Sequence, residues 1–221
     1  MGCGYWLLFV DLDGTLWDHS DVSALRPPFR RVSESSIADA NGVVVSIHPD
    51  IVKLVDWARR HGAVVSTLSW NDPEKALEAL RAFGLEGAFD YHVIEPHPYK
   101  GDAALKLLDR LREERGCIPP PCGIVYVDDR SIHLENVRER LGDVVFLQAW
   151  RDFRSFEEAR EIVEARIRAC TGSGSLQPGR LNPAQDASKP RTRCGQRAGG
   201  LELSQEDAAH SGRRGQGEYA A

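Results

Sequence analysis

Two aspartates stand two positions apart at the end of an apolar run near the start of the chain. Asp11 and Asp13 follow residues 6–10 and precede Gly14, an order that predicts a buried strand running into a tight turn. Carboxylates at the carboxyl end of a strand in an open α/β sheet lie where such sheets bind ligands. There, one carboxylate can attack phosphorus and form a covalent bond, while a second transfers a proton. Taken alone, the motif also fits an exposed Asp-Gly turn.

Three further apolar runs end in polar side chains, in the order that such a site requires. Ser69 and Asn71 end the second run, Lys100 follows the third, and Asp128 and Asp129 end the fourth. Carboxylates gathered at one edge repel each other unless a cation is bound, and carboxylate oxygens with room for water and phosphate suit Mg²⁺. The hydroxyl and the ammonium group would hold the other oxygens of a phosphoryl group. Together these residues favour a ligand site over a surface turn.

The segments between these polar groups alternate between strand and helix patterns. This alternation predicts an α/β fold of three layers, in which helices cover both faces of a parallel sheet through right-handed crossovers. Parallel strands place their carboxyl ends along one edge, so the polar groups can converge there. The predicted strands are residues 5–12, 63–69, 91–94, 123–127 and 144–147, and the predicted helices are residues 50–61, 73–83, 100–115, 131–141 and 155–170.

One stretch, residues 18–49, interrupts the alternation directly after the first pair of aspartates. Asn41 and Gly42 stand before the β-branched run 43–47, an arrangement that is typical of a β-hairpin. The stretch is too short for a separate cap domain. We therefore expect a minimal hairpin flap that folds over the site.

Composition divides the chain into a domain of residues 1–170 and a tail of residues 171–221. The tail contains no Ile, Val, Phe or Trp, so it cannot bury enough apolar surface to fold, and we predict that it is disordered. The domain carries 21 basic and 28 acidic side chains, a formal charge of −7, which argues against a nucleic-acid partner. No apolar run is long enough for a membrane span and no basic segment opens a signal peptide, so we expect a cytoplasmic protein. We also expect a monomer.

The five cysteines do not have the spacing of a zinc site. A disulfide between Cys117 and Cys122, which flank a proline-rich loop, is conceivable, but we predict free thiols. The chain contains one Met, and Gln148 is the only Gln before the tail, a bias that is seen in heat-adapted proteins. The cysteines are Cys3, Cys117, Cys122, Cys170 and Cys194.

Residues 5–150 resemble the haloacid dehalogenase (HAD) superfamily of phosphohydrolases, because all four of its motifs occur in order. The resemblance implies a HAD-like Rossmannoid fold, with Asp11 as the nucleophile and Asp13 as the general acid/base. It also implies that Ser69 is the hydroxyl of the second motif and Lys100 the lysine of the third. A member of this superfamily with these residues would hydrolyse phosphate esters through an aspartyl-phosphate.

The same resemblance implies a Mg²⁺ site made by the acidic residues of the first and fourth motifs. Asp129 is the expected direct ligand of the acidic pair, with Asp128 supporting it, and Asp13 contributes its backbone carbonyl. Asn71 either positions the substrate or begins the turn before Pro73. The predicted metal-site residues are Asp11, Asp13, Asp128 and Asp129, and the predicted phosphate-binding residues are Leu12, Ser69, Trp70, Asn71 and Lys100.

Within the superfamily the chain is most similar to the magnesium-dependent phosphatase-1 family, through residues 11–17, residues 27–29 and the minimal flap. That similarity implies a phosphatase active on phosphotyrosine-type and sugar-phosphate substrates, so the partner is a phosphorylated small molecule or a phosphoprotein. Gly14 stands where that family usually has Tyr, and Trp70 stands where it has Arg. We expect both at the mouth of the site, and we expect His133 to be an ordinary loop residue.

Other functions remain open. A polynucleotide 3′-phosphatase fits because residues 127–130 resemble that branch of the superfamily, although the acidic core argues against it. A non-catalytic module that binds phosphorylated ligands is a second alternative, although the retention of Asp11 and Asp13 argues against it. A phosphotransferase or a dehalogenase is also compatible with the motifs.

Overall fold

The computed structural model describes residues 3–172, and a parallel sheet forms the middle of its three layers. In chain order the strands are β1 (Trp6–Val10), β2 (Arg30–Arg31), β3 (Ser36–Ala38), β4 (Val44–Ser46), β5 (Ala63–Trp70), β6 (Tyr91–Glu95), β7 (Ile124–Asp128) and β8 (Val145–Gln148), and the helices are α1 (Pro49–Arg60), α2 (Pro73–Phe83), α3 (Lys100–Arg115), α4 (Leu134–Leu141) and α5 (Phe156–Thr171). Five of the strands form the parallel sheet, in the order β6-β5-β1-β7-β8.

β1 lies at the centre of the sheet, paired in parallel with β5 on one side and with β7 on the other. Successive side chains of β1 enter two different cores, because a strand turns alternate residues to opposite faces. Leu8 and Val10 pack with residues of α1, α2 and α5, whereas Leu7 and Phe9 pack with residues of α3 and α4. The predicted three-layer α/β architecture is therefore confirmed, and the carboxyl ends of all five strands lie along one edge.

α2, which borders this edge, begins and ends at local sequence signals. The Asp72 carboxylate accepts hydrogen bonds from the backbone N–H groups of Glu74 and Lys75, at 2.9 and 3.3 Å. Pro73 occupies the first helical position, where its missing N–H has no cost. The helix ends at Gly84, whose φ of +74° closes the last turn.

α4 begins at Leu134, three residues later than predicted. Residues 131–133 form a separate turn, closed by a 3.1 Å hydrogen bond from the Leu134 N–H to the Ser131 carbonyl. The other predicted strands and helices of the sheet layers lie within two residues of the observed bounds.

The insertion of residues 18–49 contains a second sheet of three antiparallel strands, in the order β2-β3-β4. Asn41 and Gly42 lie in the connection between β3 and β4, where the sequence predicts a hairpin. Ile37 and Val45 are buried in the core that α2 also enters. The hairpin thus packs beside α2, and the part of the insertion that borders the site is the turn of residues 20–24.

Four of the cysteines form two disulfides, so the prediction of free thiols is wrong for them. Cys3 pairs with Cys117, and Cys122 pairs with Cys170. The partners are 114 and 48 positions apart, so the fold brings them together and no local spacing signals the pairs. Cys194 lies outside the described residues.

α5 ends at Thr171, one residue beyond the predicted domain boundary. Apart from Thr171 and Gly172, the predicted tail of residues 171–221 lies outside the described residues. Within residues 3–172, no helix is both long enough and apolar enough to cross a membrane.

Candidate active site

Asp11 stands at the end of β1, where its backbone N–H still bonds to the Val127 carbonyl of β7 at 2.9 Å. One carboxylate oxygen, Oδ1, lies 2.8 Å from the Lys100 ammonium group. The other, Oδ2, is buried and has no hydrogen-bond partner among the described residues. Burial raises the pKa of Asp11 to about 7, although Lys100 favours the charged form.

Lys100, the first residue of α3, is buried between two carboxylates. Its Nζ lies 2.8 Å from Asp11 Oδ1 and donates a 2.7 Å hydrogen bond to Asp128 Oδ2. Burial disfavours the ammonium group, but the two carboxylates outweigh that effect and raise the pKa of Lys100. The pairing explains why a lysine stands at a helix N-terminus, where the helix dipole alone would disfavour it.

The two acidic residues after β7 have different partners. Asp128 is fully buried and accepts hydrogen bonds from Lys100, the Tyr126 hydroxyl and the Arg130 N–H. Burial alone would raise the pKa of Asp128, but Lys100 and the hydrogen bonds lower it. Asp129 is half-buried; burial and the Asp128 charge raise its pKa. Sequence reasoning missed Tyr126, although it shares a strand face with Asp128.

A hydroxyl joins the first and the fourth motif. Thr15 Oγ1 accepts a 2.9 Å hydrogen bond from the Asp129 N–H and lies 3.4 Å from Asp129 Oδ1. Asp11, Asp128 and Asp129 each offer one carboxylate oxygen, and these three oxygens lie within 4.8 Å of one another. Among the predicted metal-site residues, these three are brought together by their side chains, whereas the Asp13 carboxylate belongs to a different set of contacts.

The Asp13 carboxylate accepts three hydrogen bonds. Trp17 Nε1 and the Val22 N–H donate to Oδ1 at 2.7 and 3.1 Å, and Asn71 Nδ2 donates to Oδ2 at 2.6 Å. The amide of Asn71 is oriented by the Asp72 N–H, which donates to its Oδ1 at 2.8 Å. Burial raises the pKa of Asp13, and the donors oppose that shift. Asn71 therefore positions Asp13. This role differs from the two that the sequence left open, which were positioning the substrate and beginning the turn before Pro73.

Gly14 packs against the acidic cluster and is not among the residues that line the cleft. Its φ is +70°, and a Cβ there would lie 2.7 Å from Asp129 Oδ2. A larger residue there would adopt a strained backbone angle and displace the Asp129 carboxylate. Trp150, which sequence reasoning missed, donates a 2.8 Å hydrogen bond from its indole N–H to the Gly14 carbonyl. Trp150 follows β8 at the same edge of the sheet, and no other signal marks it.

A cleft of about 880 Å³ opens beside Asp13. Trp70 is 45% exposed in this cleft, as predicted from its place at the mouth, and its ring meets the His133 ring edge-on at 6.0 Å. The Ser69 hydroxyl is buried without a partner among the described residues, and the Leu12 side chain is buried in the core. His133 lies in the turn before α4, as expected of a loop residue, but its side chain is buried and not at the surface. The cleft is lined by Asp13, Ser20, Asp21, Ser23, Trp70, Asn71, Asp72, Pro73, Glu74, Pro96 and Arg130.

The fold and the site define an α/β domain with an acidic centre and one buried lysine at the carboxyl edge of its parallel strands. Residues 6–109, just under half of the chain, match the family model described as acid phosphatase. The match includes the first three predicted motifs and does not distinguish the magnesium-dependent phosphatase-1 family. No curated protein matches the sequence.

Solved structures resemble the chain at low sequence identity. The N-terminal part of a Bacteroides fragilis protein containing a phosphatase domain, complexed with Mg, is 16% identical over 75% of this chain and 40% of that chain, with a TM-score of 0.46. This chain thus spans less than half of the Bacteroides one. A HAD-superfamily hydrolase from Ehrlichia chaffeensis is 13% identical over 76% and 98%, with a TM-score of 0.47.

Proposed function

We propose that the protein is a Mg²⁺-dependent phosphomonoesterase that works through an aspartyl-phosphate on Asp11. The observation that carries the proposal is the buried pairing of Asp11 with Lys100 beside Asp128 and Asp129, with Asp11 Oδ2 left without a partner among residues 3–172. A nucleophile needs an available lone pair, and this oxygen has one. The match to the acid phosphatase model over residues 6–109 supports the same chemistry.

The acidic cluster fits Mg²⁺ as the resident cofactor. Three carboxylates face one ammonium group, so the cluster carries a net negative charge that a cation would neutralise. Asp129 is the better direct ligand, because Asp128 already accepts three hydrogen bonds. Asp13 contributes its backbone carbonyl. When bound, the ion neutralises the cluster and orients the phosphoryl group.

In the first step, Oδ2 of Asp11 attacks phosphorus while the bond between phosphorus and the ester oxygen breaks. Asp13 gives its proton to the departing oxygen, and burial favours the protonated form of Asp13 that this transfer needs. Lys100 remains beside Asp11 and stabilises negative charge on the transferring oxygens. The step yields an alcohol or a phenol and phosphorylated Asp11.

In the second step, water attacks the phosphorus of the aspartyl-phosphate. Asp13, now a carboxylate, takes a proton from that water, and the bond between phosphorus and Asp11 breaks with its electron pair returning to the carboxylate. The donors from Trp17, Val22 and Asn71 stabilise the charged Asp13 that acts as the base. Inorganic phosphate leaves, and both aspartates are then in their starting states, because Asp13 regains from the water the proton that it gave to the departing oxygen.

We propose phosphotyrosine-type and sugar-phosphate substrates, carried by small molecules or phosphoproteins, and a monomer related to the magnesium-dependent phosphatase-1 family. The cleft beside Asp13 supports this range, because its volume of about 880 Å³ accommodates a group larger than a phosphate ion. The hairpin of the insertion packs beside α2 and leaves the cleft open to such groups.

We also propose that the protein works in the cytoplasm. Disulfides are rare in that compartment except in hyperthermophiles, whose intracellular proteins are rich in them. The two disulfides agree with the low content of Met and with the scarcity of Gln before residue 171, both of which point to heat adaptation.

The experiment that tests the activity measures phosphate released from p-nitrophenyl phosphate by the full chain, with Mg²⁺ and with EDTA. Asp11→Asn should abolish release, because an amide is a poor nucleophile. Asp13→Asn should slow turnover by about 10²–10⁴-fold while phosphate still binds. Asp109→Asn, on the exposed side of α3, is the matched control and should behave as the wild type. Metal-independent release, or full activity of Asp11→Asn, would contradict the proposal.

A further inference from the structure

We propose that the cleft beside Asp13 is a subsite for an aromatic leaving group, with Trp70 as its platform and an acidic rim that disfavours further negative charge on the substrate. This inference rests on the proposed function, because it specifies which phosphomonoesters the same site prefers. It assigns the protein to aryl phosphates whose remaining groups are neutral or basic.

The position of Asp13 fixes where the leaving group lies. Asp13 lines the cleft, whereas Asp11 and Lys100 are buried behind it and do not. The ester oxygen must approach within hydrogen-bond reach of Asp13 to take its proton. The phosphoryl group therefore faces Asp11, and the rest of the substrate extends from Asp13 into the cleft.

Trp70 offers an aromatic surface at that place. It lies between Ser69 and Asn71, both buried, so the alternation of β5 turns its side chain outward. The His133 ring meets the indole at 90°, and 45% of Trp70 stays exposed. The contact with a buried ring restrains the indole and leaves surface on which a flat group can stack.

Two prolines complete the apolar part of the cleft. Pro73 begins α2 and Pro96 follows β6, and both line the cleft with Trp70. Proline rings have little freedom to lose when a ligand binds. The apolar walls are thus already in place, and they suit a planar ring better than a polyhydroxylated chain.

The polar part of the cleft is mainly acidic. Asp21, Asp72 and Glu74 line it against one cation among the described residues, Arg130, which itself lies 3.8 Å from Asp129. Lys75 donates to the Ser23 carbonyl and is not part of the lining. A second phosphate or an acidic peptide would meet like charge here. A polynucleotide is disfavoured for the same reason.

The first test compares Trp70→Leu with Trp70→Phe in the full chain with Mg²⁺, on phenyl phosphate and ethyl phosphate. Leucine keeps apolar bulk but removes the aromatic face, so kcat/KM for phenyl phosphate should fall about 5- to 10-fold while that for ethyl phosphate stays within about two-fold. Phenylalanine should restore most of the loss. Equal losses on both substrates would overturn the aromatic platform.

Binding of two phosphonates that cannot be hydrolysed, benzylphosphonate and ethylphosphonate, separates this subsite from the catalytic proposal. We expect calorimetry to give a preference for benzylphosphonate that Trp70→Leu removes. That result in a protein that releases no phosphate would support the subsite and overturn the phosphatase. Phosphate release with no effect of Trp70→Leu in either assay would do the reverse, and neither binding nor release would overturn both.

The rim is tested with two phosphotyrosine peptides that differ only in their flanking residues, lysines in one and glutamates in the other. The wild type should prefer the lysine peptide by about 10-fold in kcat/KM at low salt. The double variant Glu74→Gln and Asp21→Asn should reduce that preference. Asparagine is chosen at position 21 because its side-chain oxygen can still accept the hydrogen bond that the Ser23 N–H donates to Asp21. Glu113→Gln, on the exposed side of α3, is the control. Equal rates on the two peptides in the wild type would overturn the acidic rim.

Discussion

Trp150 combines an uncommon backbone conformation with a contact to the turn that follows Asp13. Its φ is +66°, a region in which a bulky side chain is strained. Its indole donates to the Gly14 carbonyl, and its ring packs against His48 and Phe153 at centroid distances of 4.4 and 6.0 Å. The strained residue thus holds the carbonyl of Gly14, the residue that follows Asp13, and we infer that Trp150 positions this turn.

We expect Trp150→Phe to weaken Mg²⁺ binding by about 10-fold, in the range found when a hydrogen bond that supports a metal ligand is lost. Phenylalanine keeps the ring contacts but cannot donate to the Gly14 carbonyl, so the neighbouring Asp13 carbonyl loses its support. Calorimetric titration of the folded protein with Mg²⁺ measures the change without any need for turnover.

The control for that variant is Trp6→Phe, at the opposite end of β1. Trp6 donates a comparable 2.9 Å hydrogen bond from its indole to the His61 carbonyl. Its loss should destabilise the fold by about 1 kcal/mol and leave Mg²⁺ affinity unchanged. If Trp150→Phe and Trp6→Phe bind Mg²⁺ as the wild type does, Trp150 has no positioning role.

The sequence locates those site residues whose place follows from a strand end. Asp11, Lys100 and Asp128 are predicted at one edge, and the structure brings them into direct contact. The contact between Asn71 and Asp13 was not predicted, because a strand end places a residue at the edge but only the three-dimensional packing determines which side chains pair there. The contact of Trp150 with Gly14 was not predicted for the same reason.

The strands and helices of the sheet layers were predictable because their signals are local. α2 is an example: a capping aspartate, a proline in the first position and a closing glycine all lie within or beside it. The hairpin of the insertion also has a local signal, but its direction does not. Its packing beside α2 depends on Ile37 and Val45 finding a core far away in sequence.

One carboxylate holds the insertion together and gives it a dependence on pH. Asp39 accepts backbone hydrogen bonds from Arg26 at 3.0 Å and from Asn41 and Val43 at 2.8 Å each. These donors, with that of Arg26 foremost, lower the pKa of Asp39 below its usual value of 3.8. Because the folded pKa is the lower one, the stabilisation is complete above pH 3.8 and is lost as the pH falls through the folded pKa.

Asp39→Asn should therefore lower the melting temperature at pH 7 by about 2–4 °C, and the difference from the wild type should shrink at pH 3. Thermal unfolding at the two pH values measures both effects. Asp109→Asn, whose carboxylate lies exposed beside Arg112, should show no comparable difference. A constant gap between pH 7 and pH 3 would contradict the role of ionised Asp39.

α3 and α4 approach closely at a glycine next to Lys100. A Cβ at Gly101 would overlap the backbone carbonyl of Asn136, whereas one at Gly87 would meet open space. We expect Gly101→Ala to destabilise the protein by about 1–3 kcal/mol, because the two helices must separate. Gly87→Ala should be neutral within about 0.5 kcal/mol. Urea unfolding compares the two, and equal midpoints would contradict the close packing.

The two disulfides attach both ends of the described chain to one short loop. Cys3 joins Cys117 at the start of the loop, and Cys122 at its end joins Cys170 in the last turn of α5. Replacing Cys122 and Cys170 together by serine should lower the free energy of unfolding by about 2–4 kcal/mol, because the 48-residue loop is no longer closed in the unfolded state. Urea unfolding with and without reductant measures it, and an unchanged midpoint would show that this bridge does not stabilise the fold.

At the scale of the whole chain, the sequence pattern predicts the fold class but does not predict the disulfides. The alternation of strand and helix patterns predicts the layered α/β architecture, because it reflects which residues must face a core and which must face water. The disulfides depend instead on where the chain ends come to lie, and free thiols are predicted when only neighbouring cysteines are compared.

The attachment of both ends to the loop of residues 117–122 has a mechanical consequence. A force that pulls Cys3 and Cys170 apart passes through the two bridges and the loop, so residues 4–116 and 123–169 bear no load. A free chain of this length would stretch to about 600 Å, whereas the bridged one yields on the order of 30 Å. An unfolding ATPase that pulls a polypeptide from one end would meet two loops closed by disulfides here. The domain could be translocated only after a reductant had broken these bonds.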